Sequence, residues 1–540
     1  MSKPIEILVL GAGPNGLTCA SYLAKAGAKV KVIEKNVESG GGLMTQELSG
    51  LKLNSHAMYM LLSELMPPYR DLELSKFGLK FIRPEVQNSF LFEDSSLILY
   101  SDIEKSVESV RNISPTDAET FGNLYNLFKQ ASDEFIIPAT YMPPVDPLEQ
   151  IEMLENCGDL GRWLNELAEL TPREAIEDFG FKDDRIVGAL LYLASMFGLD
   201  PDGGGMGFLT PIYVYRLMQA TLVAGGSHQM ASALRRSLER FGGEVVTATE
   251  VREILVSNNK AVGVKLDDGG AIYADVIVST LNPTQNFNEL IDTSLLPGIV
   301  TESAAAWEYD ETSLFVMNWG IVGDPPVYNN RPNDLSRSLN VTFGINGPND
   351  VTAHFEDATN NVAPNGKVGH VSCPSIFDPL LAANHLKEYG NCEVLRYECL
   401  APYDIDWVSY KNELAARAFD TWAKYAPNLK NANLRIELPW TPKDIERHLP
   451  TMKRGAIKHG AYISIQMGYN RPNMECSSYK TPIEGFYVGG ASTHPGGMVI
   501  LGGGYNVAKV VAADWDIDIW WQVPDTVKAA VAKGYLPDDQ

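Results

Sequence analysis

The stretch "IEILVLGAGPNGLTCASYLAKAGAKVKVIEK" at residues 5–35 admits few folds. Residues 5–10 are an apolar run of strand length. Gly11, Gly13 and Gly16 follow at G-x-G-x-x-G spacing, and the pattern then predicts a helix over 15–26, stopped by Gly27. Lys29–Ile33 alternates charged and β-branched residues, as a second strand would, and Glu34 closes it 18 residues after Gly16. Each piece has a physical task. Gly11 permits a tight turn, Gly13 lets the backbone approach a pyrophosphate, and Gly16 lets helix and strand pack closely. The helix start at Pro14 and Asn15 offers free N–H groups and the positive end of a dipole to phosphates. Glu34, with Lys35 beside it, is placed to accept hydrogen bonds from ribose hydroxyls. A bare glycine triplet is weak evidence. Strand, helix, strand and acid in this order predict an α/β, Rossmann-type dinucleotide-binding domain.

Two further glycine clusters bear on which dinucleotide. "NVESGGGLM" places Gly40, Gly41 and Gly42 six to eight residues after Glu34. A solvent loop would read the same way. A second glycine turn just past the ribose acid is also what a longer, flavin-bearing ligand needs, with Gly41, Gly42, Leu43 and Met44 along its pyrophosphate and flavin side. Near the other end, "GGASTHPGGMVILGGGYNVAKVV" at residues 489–511 holds seven glycines between 489 and 504. "GFYVGG" reads as a strand entering them and "YNVAKVVAADW" as a helix leaving them. The expectation is that the first and last clusters meet at one ligand, FAD.

Composition narrows the function classes. The 540 residues are 45% hydrophobic and 21% charged, with a net charge of -24 and a pI near 4.8. Nucleic acid is a poor partner for such a chain, because phosphate binding needs clustered Lys and Arg. An anionic membrane would repel it on average, while a local apolar patch leaves peripheral contact open. The apolar run at the N-terminus is too short for a signal peptide. No apolar run approaches the ~20 residues of a membrane span. "VGALLYLASMFGL" from Val187 is short enough for a buried helix. Six cysteines lie without a C-x-x-C pair, which points to free thiols in a reducing cytoplasm rather than a redox disulfide or a metal site.

Along the chain, "PTDAETFGNLYNLFKQASDEF" has a helical apolar pattern. "MPPVDP" at residue 142 is a break, and "LDPDGGGMGFLTP" at residue 199 is a glycine loop, either a lid or a plain connector. From Gly225 a helix and short strands resume, ending in "ADVIVST". "TSLFVMNWGIV" and "GHVSCPSIF" read as strands and "DWVSYKNELAARAFDTWAKYAP" as a helix. The expected organisation is a discontinuous FAD-binding domain from 1–110, 222–290 and 480–540. An inserted α+β substrate-binding domain takes 111–221 and 291–479 and includes a helical lid region.

"GAGPNGLTCASYLAKAGAKVKVIEK", "GGSHQMASALRRSLERFGGEV", "EVREILVSNNKAVGVKLDDGG" and "YKTPIEGFYVGGASTHPGGMVILGGGYNVAK" together resemble the flavoprotein superfamily of bacterial phytoene desaturases, amine oxidases and retinol saturase. The likeness is nearest to the phytoene-desaturase-related branch that includes the pyridine nucleotide-disulphide oxidoreductase domain-containing protein 2 type. The resemblance implies FAD held by Gly11, Gly13, Gly16 and Glu34 at its ADP half. Val251 would meet adenine through its backbone, Gly490 the pyrophosphate, and Met498 and Val499 the flavin. Members of the superfamily often carry glycine where this chain has Met498. The resemblance implies an FAD-dependent desaturase or dehydrogenase taking a hydride from an apolar, prenyl or terpenoid substrate, with a separate electron acceptor. A flavin amine oxidase and a non-enzymatic FAD-stabilised carrier are the alternatives. Flavin carries the redox step, so proton handling is left to His56 in "LNSHAMYM" or His494 in "STHPGG"; either histidine would equally serve to fix a loop. Tyr59, Tyr505, Phe315 and Trp319 are candidate pocket aromatics, although aromatics are more often core.

Overall fold

The computed structural model describes residues 4–382 and 390–538. A five-stranded parallel sheet organises the first body. Its order is Glu244–Val246, Lys29–Ile33 (β2), Glu6–Leu10 (β1), Val276–Ser279 and Phe486–Val488. β1 is central, and both of its faces are buried. Ile7 and Val9 enter a core with Leu17, Tyr22, Leu234 and Val507, while Leu8 and Leu10 join Ile254, Ile277 and Val488 on the other side. This is the two-residue period of a strand. A central parallel strand therefore reads as continuously apolar. The helix α1, Pro14–Lys25, begins with Pro14 at its first turn, where a fixed φ is already helical. The helices His228–Arg240 and Gly502–Asp514 pack against α1. An antiparallel meander of Val251–Ser257, Lys260–Leu266 and Ala271–Tyr273 covers the opposite face.

The second body is a seven-stranded sheet in the order Asn433–Trp440, Thr312–Val322, Cys392–Pro402, Gly369–Ser372, Ser338–Phe343, Val86–Leu91, Ser96–Tyr100. All its pairs are antiparallel except Ser338–Phe343 with Val86–Leu91. Helix Trp407–Tyr425 packs on this sheet, enclosing Phe315, Trp319 and Trp422. The helices Asp117–Ala131, Asp184–Ser195 and Thr210–Leu217 share a separate core. The apolar run from Val187 lies in the second of them, buried throughout residues 186–195.

Two sequence-based expectations change here. The boundary at 110 would leave residues 86–100 with the nucleotide domain, but their strands belong to the seven-stranded sheet. Short strands carry no mark of which sheet they join, and the pairing that decides it is remote: Ser89 meets Ser338, 249 residues away. Of the four candidate pocket aromatics, Phe315, Trp319 and Tyr505 are core residues, at most 2% exposed, and only Tyr59 borders a cavity. Among the described residues no helix is long and apolar enough to cross a membrane.

Candidate active site

A cleft of about 320 Å³ lies at the carboxyl ends of the parallel strands, where an open α/β sheet binds its ligand. Gly11, with φ +94°, turns the chain out of β1, and its amide donates to the Ile33 carbonyl at 2.8 Å. A Cβ on Gly16 would overlap the Gly11 carbonyl oxygen, so helix and strand touch there through backbone alone. A Cβ on Gly13 would meet nothing within 4 Å, because this position faces the open cleft. α1 has no side-chain cap and no acidic residue in its first turn, which leaves its first amides to an anionic ligand. Glu34 is buried at the end of β2. Its Oε2 accepts from the Ala12 amide and its Oε1 from the Asn36 amide, each at 2.8 Å. Burial raises its pKa and these donors oppose the rise. A carboxylate offers about four acceptor sites, so two remain for ribose hydroxyls. Lys35, at the rim, pairs with Glu250 at 2.9 Å, and Val251 lines the same cleft.

The second glycine turn stacks on the first. A Cβ on Gly41, whose φ is +53°, would approach the Gly13 Cα at 3.2 Å, and the Gly40 amide donates to the Ala12 carbonyl at 2.8 Å. Gly41 and Gly42 line the cleft; Leu43 and Met44 do not. The Leu43 amide folds back to the Gly40 carbonyl at 2.9 Å, which turns its side chain into the nucleotide-domain core. Met44 packs instead beside Trp440 and Met452. Those two expected ligand contacts are corrected: the Gly40–Gly41 turn redirects the chain before it reaches them.

The late glycines close the cleft from the other side. Added Cβ atoms would overlap the Thr280 carbonyl at Gly490 and the Asn15 carbonyl at Gly504, and the Gly504 amide donates to Asn15 Oδ1 at 3.1 Å. The two glycine clusters therefore do meet, at backbone distance. Between them Met498 (φ +69°), Val499 (φ +56°) and Leu501 (φ +62°) hold left-handed conformations without being glycine. Such residues cost about 1–2 kcal/mol each and need surrounding structure to hold them. The Gly497 amide donates to the Tyr462 hydroxyl at 2.8 Å. Arg471, fully buried, donates to the carbonyls of Ala491 (3.0 Å), Lys458 (2.9 Å) and Gln466 (3.0 Å). Lys458, also buried, pairs with Asp310 at 2.8 Å. This knot braces the loop from beneath. An acid for ribose, uncapped amides, open space at Gly13 and three glycine turns fit FAD.

Two cavities adjoin the cleft. An outer one of about 390 Å³ is walled by residues such as Phe135, Leu164, Phe208, Ile212, Tyr213 and Met467, and among the described residues no Asp, Glu, Lys or Arg lines it. Gly205, in the glycine loop at 199, and Pro143 and Pro144, in the break at 142, border it as well. An inner chamber of about 110 Å³ is lined by Tyr59, Phe197, Leu314 and Val316, together with His56, Arg396 and Glu398. Arg396 donates to the carbonyls of Asn54 and His56 and to Glu398 Oε2, the last at 2.5 Å, so the two charges offset one another.

The two candidate histidines part company. His56 stands in the inner chamber with its ring against Trp440, and its Nε2 has no hydrogen-bond partner among the described residues. Burial, and then the neighbouring Arg396 and His448, hold its imidazole neutral down to about 3. His494 lines the outer cavity, but its Nε2 lies 2.9 Å from the Ala139 carbonyl, to which it donates, and its own carbonyl accepts from the Tyr479 hydroxyl. That is the loop-fixing role, and the expectation of His494 as a proton carrier is corrected accordingly. Sequence reasoning missed Thr249, Arg252, Thr280, Thr451 and His459 in the cleft, and Arg396 and Glu398 in the chamber. Thr280 had a signal, as the residue just past a buried parallel strand; the others come from remote loops and strands.

Walls so poor in net charge supply little polar chemistry of their own, so the reactive group must come from the cleft. By class the protein is an FAD-dependent oxidoreductase. The chain belongs to the flavin containing amine oxidoreductase family, whose model matches residues 15–314. It is 40% identical to a limonene dehydrogenase subunit of Castellaniella defragrans, covering 99% of each chain. It is 28% identical to pyridine nucleotide-disulfide oxidoreductase domain-containing protein 2 of Mus musculus, over 94% of this chain and 93% of the relative. Among solved structures it resembles putrescine oxidase bound to putrescine, with a TM-score of 0.59 and 15% identity, over 96% of this chain and all of the other.

Proposed function

We propose that this oxidoreductase removes a hydride from an apolar, terpenoid-like substrate, giving either an alkene or an alcohol whose oxygen comes from water. The observation that carries the reading is the uncharged outer cavity of about 390 Å³, which meets the cofactor cleft at Gly497 and Met498. The 40% identity to the limonene dehydrogenase chain supports it. Bound FAD supplies the two-electron acceptor. The chain's own residues orient the hydrocarbon and exclude water, and loss of hydride leaves cationic character on carbon. A proton beside such a centre is acidic enough that a weak base suffices, and His56 Nε2, neutral and unpaired, is the group in the chamber suited to take it. An ammonium substrate fits poorly: the outer cavity has no carboxylate among the described residues, and Glu398 in the chamber is held by Arg396.

The limonene dehydrogenase relative is one chain of a multi-chain enzyme by its name, which supports a partner chain as the route for electrons to a separate acceptor. Leu148 (79% exposed), Ile151 and Ile465 stand beside residues of the outer cavity, an apolar rim through which a hydrocarbon could enter from a membrane surface. Anaerobic mixing of the FAD-loaded protein with terpenoid hydrocarbons should bleach the flavin absorbance, and heavy-oxygen water should label any alcohol formed. Bleaching by amines alone would replace this reading with amine oxidation.

A further inference from the structure

Among the described residues only one borders the cofactor cleft, the outer cavity and the inner chamber alike: Met498. The outer cavity and inner chamber share just two of these lining residues, Met498 and Leu61. Leu61 is fixed from behind, since its carbonyl accepts from Arg216 Nε at 2.9 Å. Met498 packs on the same apolar cluster as Leu61, Tyr213 and Tyr462. Its φ of +69° lies in the region that favours glycine, yet a long, flexible thioether occupies it.

We infer that Met498 is a specificity-determining partition, setting how long an apolar substrate this enzyme accepts. With the thioether in place, a ligand's body is held in the outer cavity and only its reacting end passes the 497–498 peptide, toward the cofactor cleft and the His56 side of the inner chamber. Removing the side chain joins the outer cavity to the inner chamber and lets a longer hydrocarbon run from one into the other, past the cleft. The inference rests on the apolar-substrate reading above and adds a length limit with a named residue. Met498 rather than Leu61 carries the limit, because of these two shared residues only Met498 also borders the cofactor cleft.

The test uses the FAD-loaded protein and its Met498→Gly and Met498→Leu variants, with flavin content measured first. Acyclic prenyl hydrocarbons of ten, fifteen and twenty carbons are titrated anaerobically, and dissociation constants are read from tryptophan fluorescence. Wild type should bind the ten-carbon probe and weaken at least ~10-fold by twenty carbons. Met498→Gly should recover at least ~10-fold for the twenty-carbon probe with little change for the ten-carbon one. Met498→Leu, similar in volume, should behave as wild type. An unmoved length limit in Met498→Gly, or an equal shift in Met498→Leu, overturns the inference while leaving the substrate class intact. If no prenyl hydrocarbon binds any of the three proteins, the substrate class fails, and the partition is judged by xenon in pressurised crystals. Xenon at the position vacated in Met498→Gly, bridging the two cavities, supports it; cavities that stay separate in that variant overturn it. Should Met498→Gly lose FAD, Met498→Ala is put through the same measurements.

Discussion

The glycine-rich loops that line the cofactor cleft are built on opposite terms. In the first and second turns, which stack on one another, the positive φ values belong to glycine: Gly11, Gly40 and Gly41. In the last, Gly496 has company, because Met498, Val499 and Leu501 take the same left-handed conformations with full side chains. The first loop leaves its helix-start amides uncapped at the cleft and packs through backbone, so a side chain there would only obstruct. The last loop must also wall off cavities. The chain keeps apolar side chains where glycine would be easier and holds them with the Arg471 and Tyr462 hydrogen bonds. Where a ligand is gripped by main chain, strain is relieved; where it is bounded by side chains, strain is tolerated.

The largest test of that contrast is Gly16→Ala. Its methyl would press into the Gly11 carbonyl, with no flexible neighbour to yield. It should destabilise the fold by more than ~3 kcal/mol and leave little FAD bound, as followed by thermal unfolding and flavin release. Gly13→Val separates fold from ligand. An added Cβ meets no protein atom within 4 Å, so apo-protein unfolding should stay near wild type while FAD affinity drops at least ~100-fold, about 2.7 kcal/mol; retained FAD would place the pyrophosphate elsewhere. Glu34→Gln should weaken FAD by roughly ten- to a hundredfold through loss of charge-assisted hydrogen bonds, measured by equilibrium dialysis.

A smaller effect is confined to the last loop, which carries His494. Burial holds its imidazole down at about 4, below the ordinary value near 6.5, with Arg471 adding to the effect. The unfolded chain then binds the extra proton first as pH falls. Stability is full above ~6.5, declines as pH drops through that window, and levels off below about 4, by about 1.4 kcal/mol per pH unit for each such histidine. His494→Asn keeps a donor for the Ala139 carbonyl and should flatten this acid slope in denaturant titrations; an unchanged slope would refute the assignment. The smallest expected change is Val499→Gly. Relief of a β-branched residue at φ +56° is partly offset by glycine's unfolded-state entropy, leaving a gain of up to ~1 kcal/mol. A marked loss would mean that Val499 packing, rather than its backbone, sets the loop.

The same contrast explains what could be read in advance. β1, α1, β2 and Glu34 are contiguous, and each carries a local cue: a strand-length run, a triplet spacing, an acid at a fixed offset. Gly490 and the last helix were legible because glycine crowding announces close backbone approach. Leu43 and Met44 were misplaced because a single turn at Gly40–Gly41 decides the direction of everything after it. The substrate walls were nearly silent. Arg396 and Glu398 reach the chamber from a strand more than 300 residues beyond His56, and they look like any alternating strand until the sheet is assembled. Backbone sites advertise themselves by composition, whereas side-chain sites are defined by pairings between distant strands.

The order of the parallel sheet also sets a timetable. β1 and β2 leave the ribosome well before the strand that completes the sheet, Phe486–Val488, and Gly490 behind that strand lies 456 residues after Glu34. At roughly 5–20 residues per second, the half-built cradle waits on the order of 20–90 s for its closing side. Until then Val276–Ser279 presents an unpaired edge to the surroundings, a hazard for mispairing. A complete flavin cradle is thus a late product of chain synthesis, assembled only once the last glycine turn has joined the first.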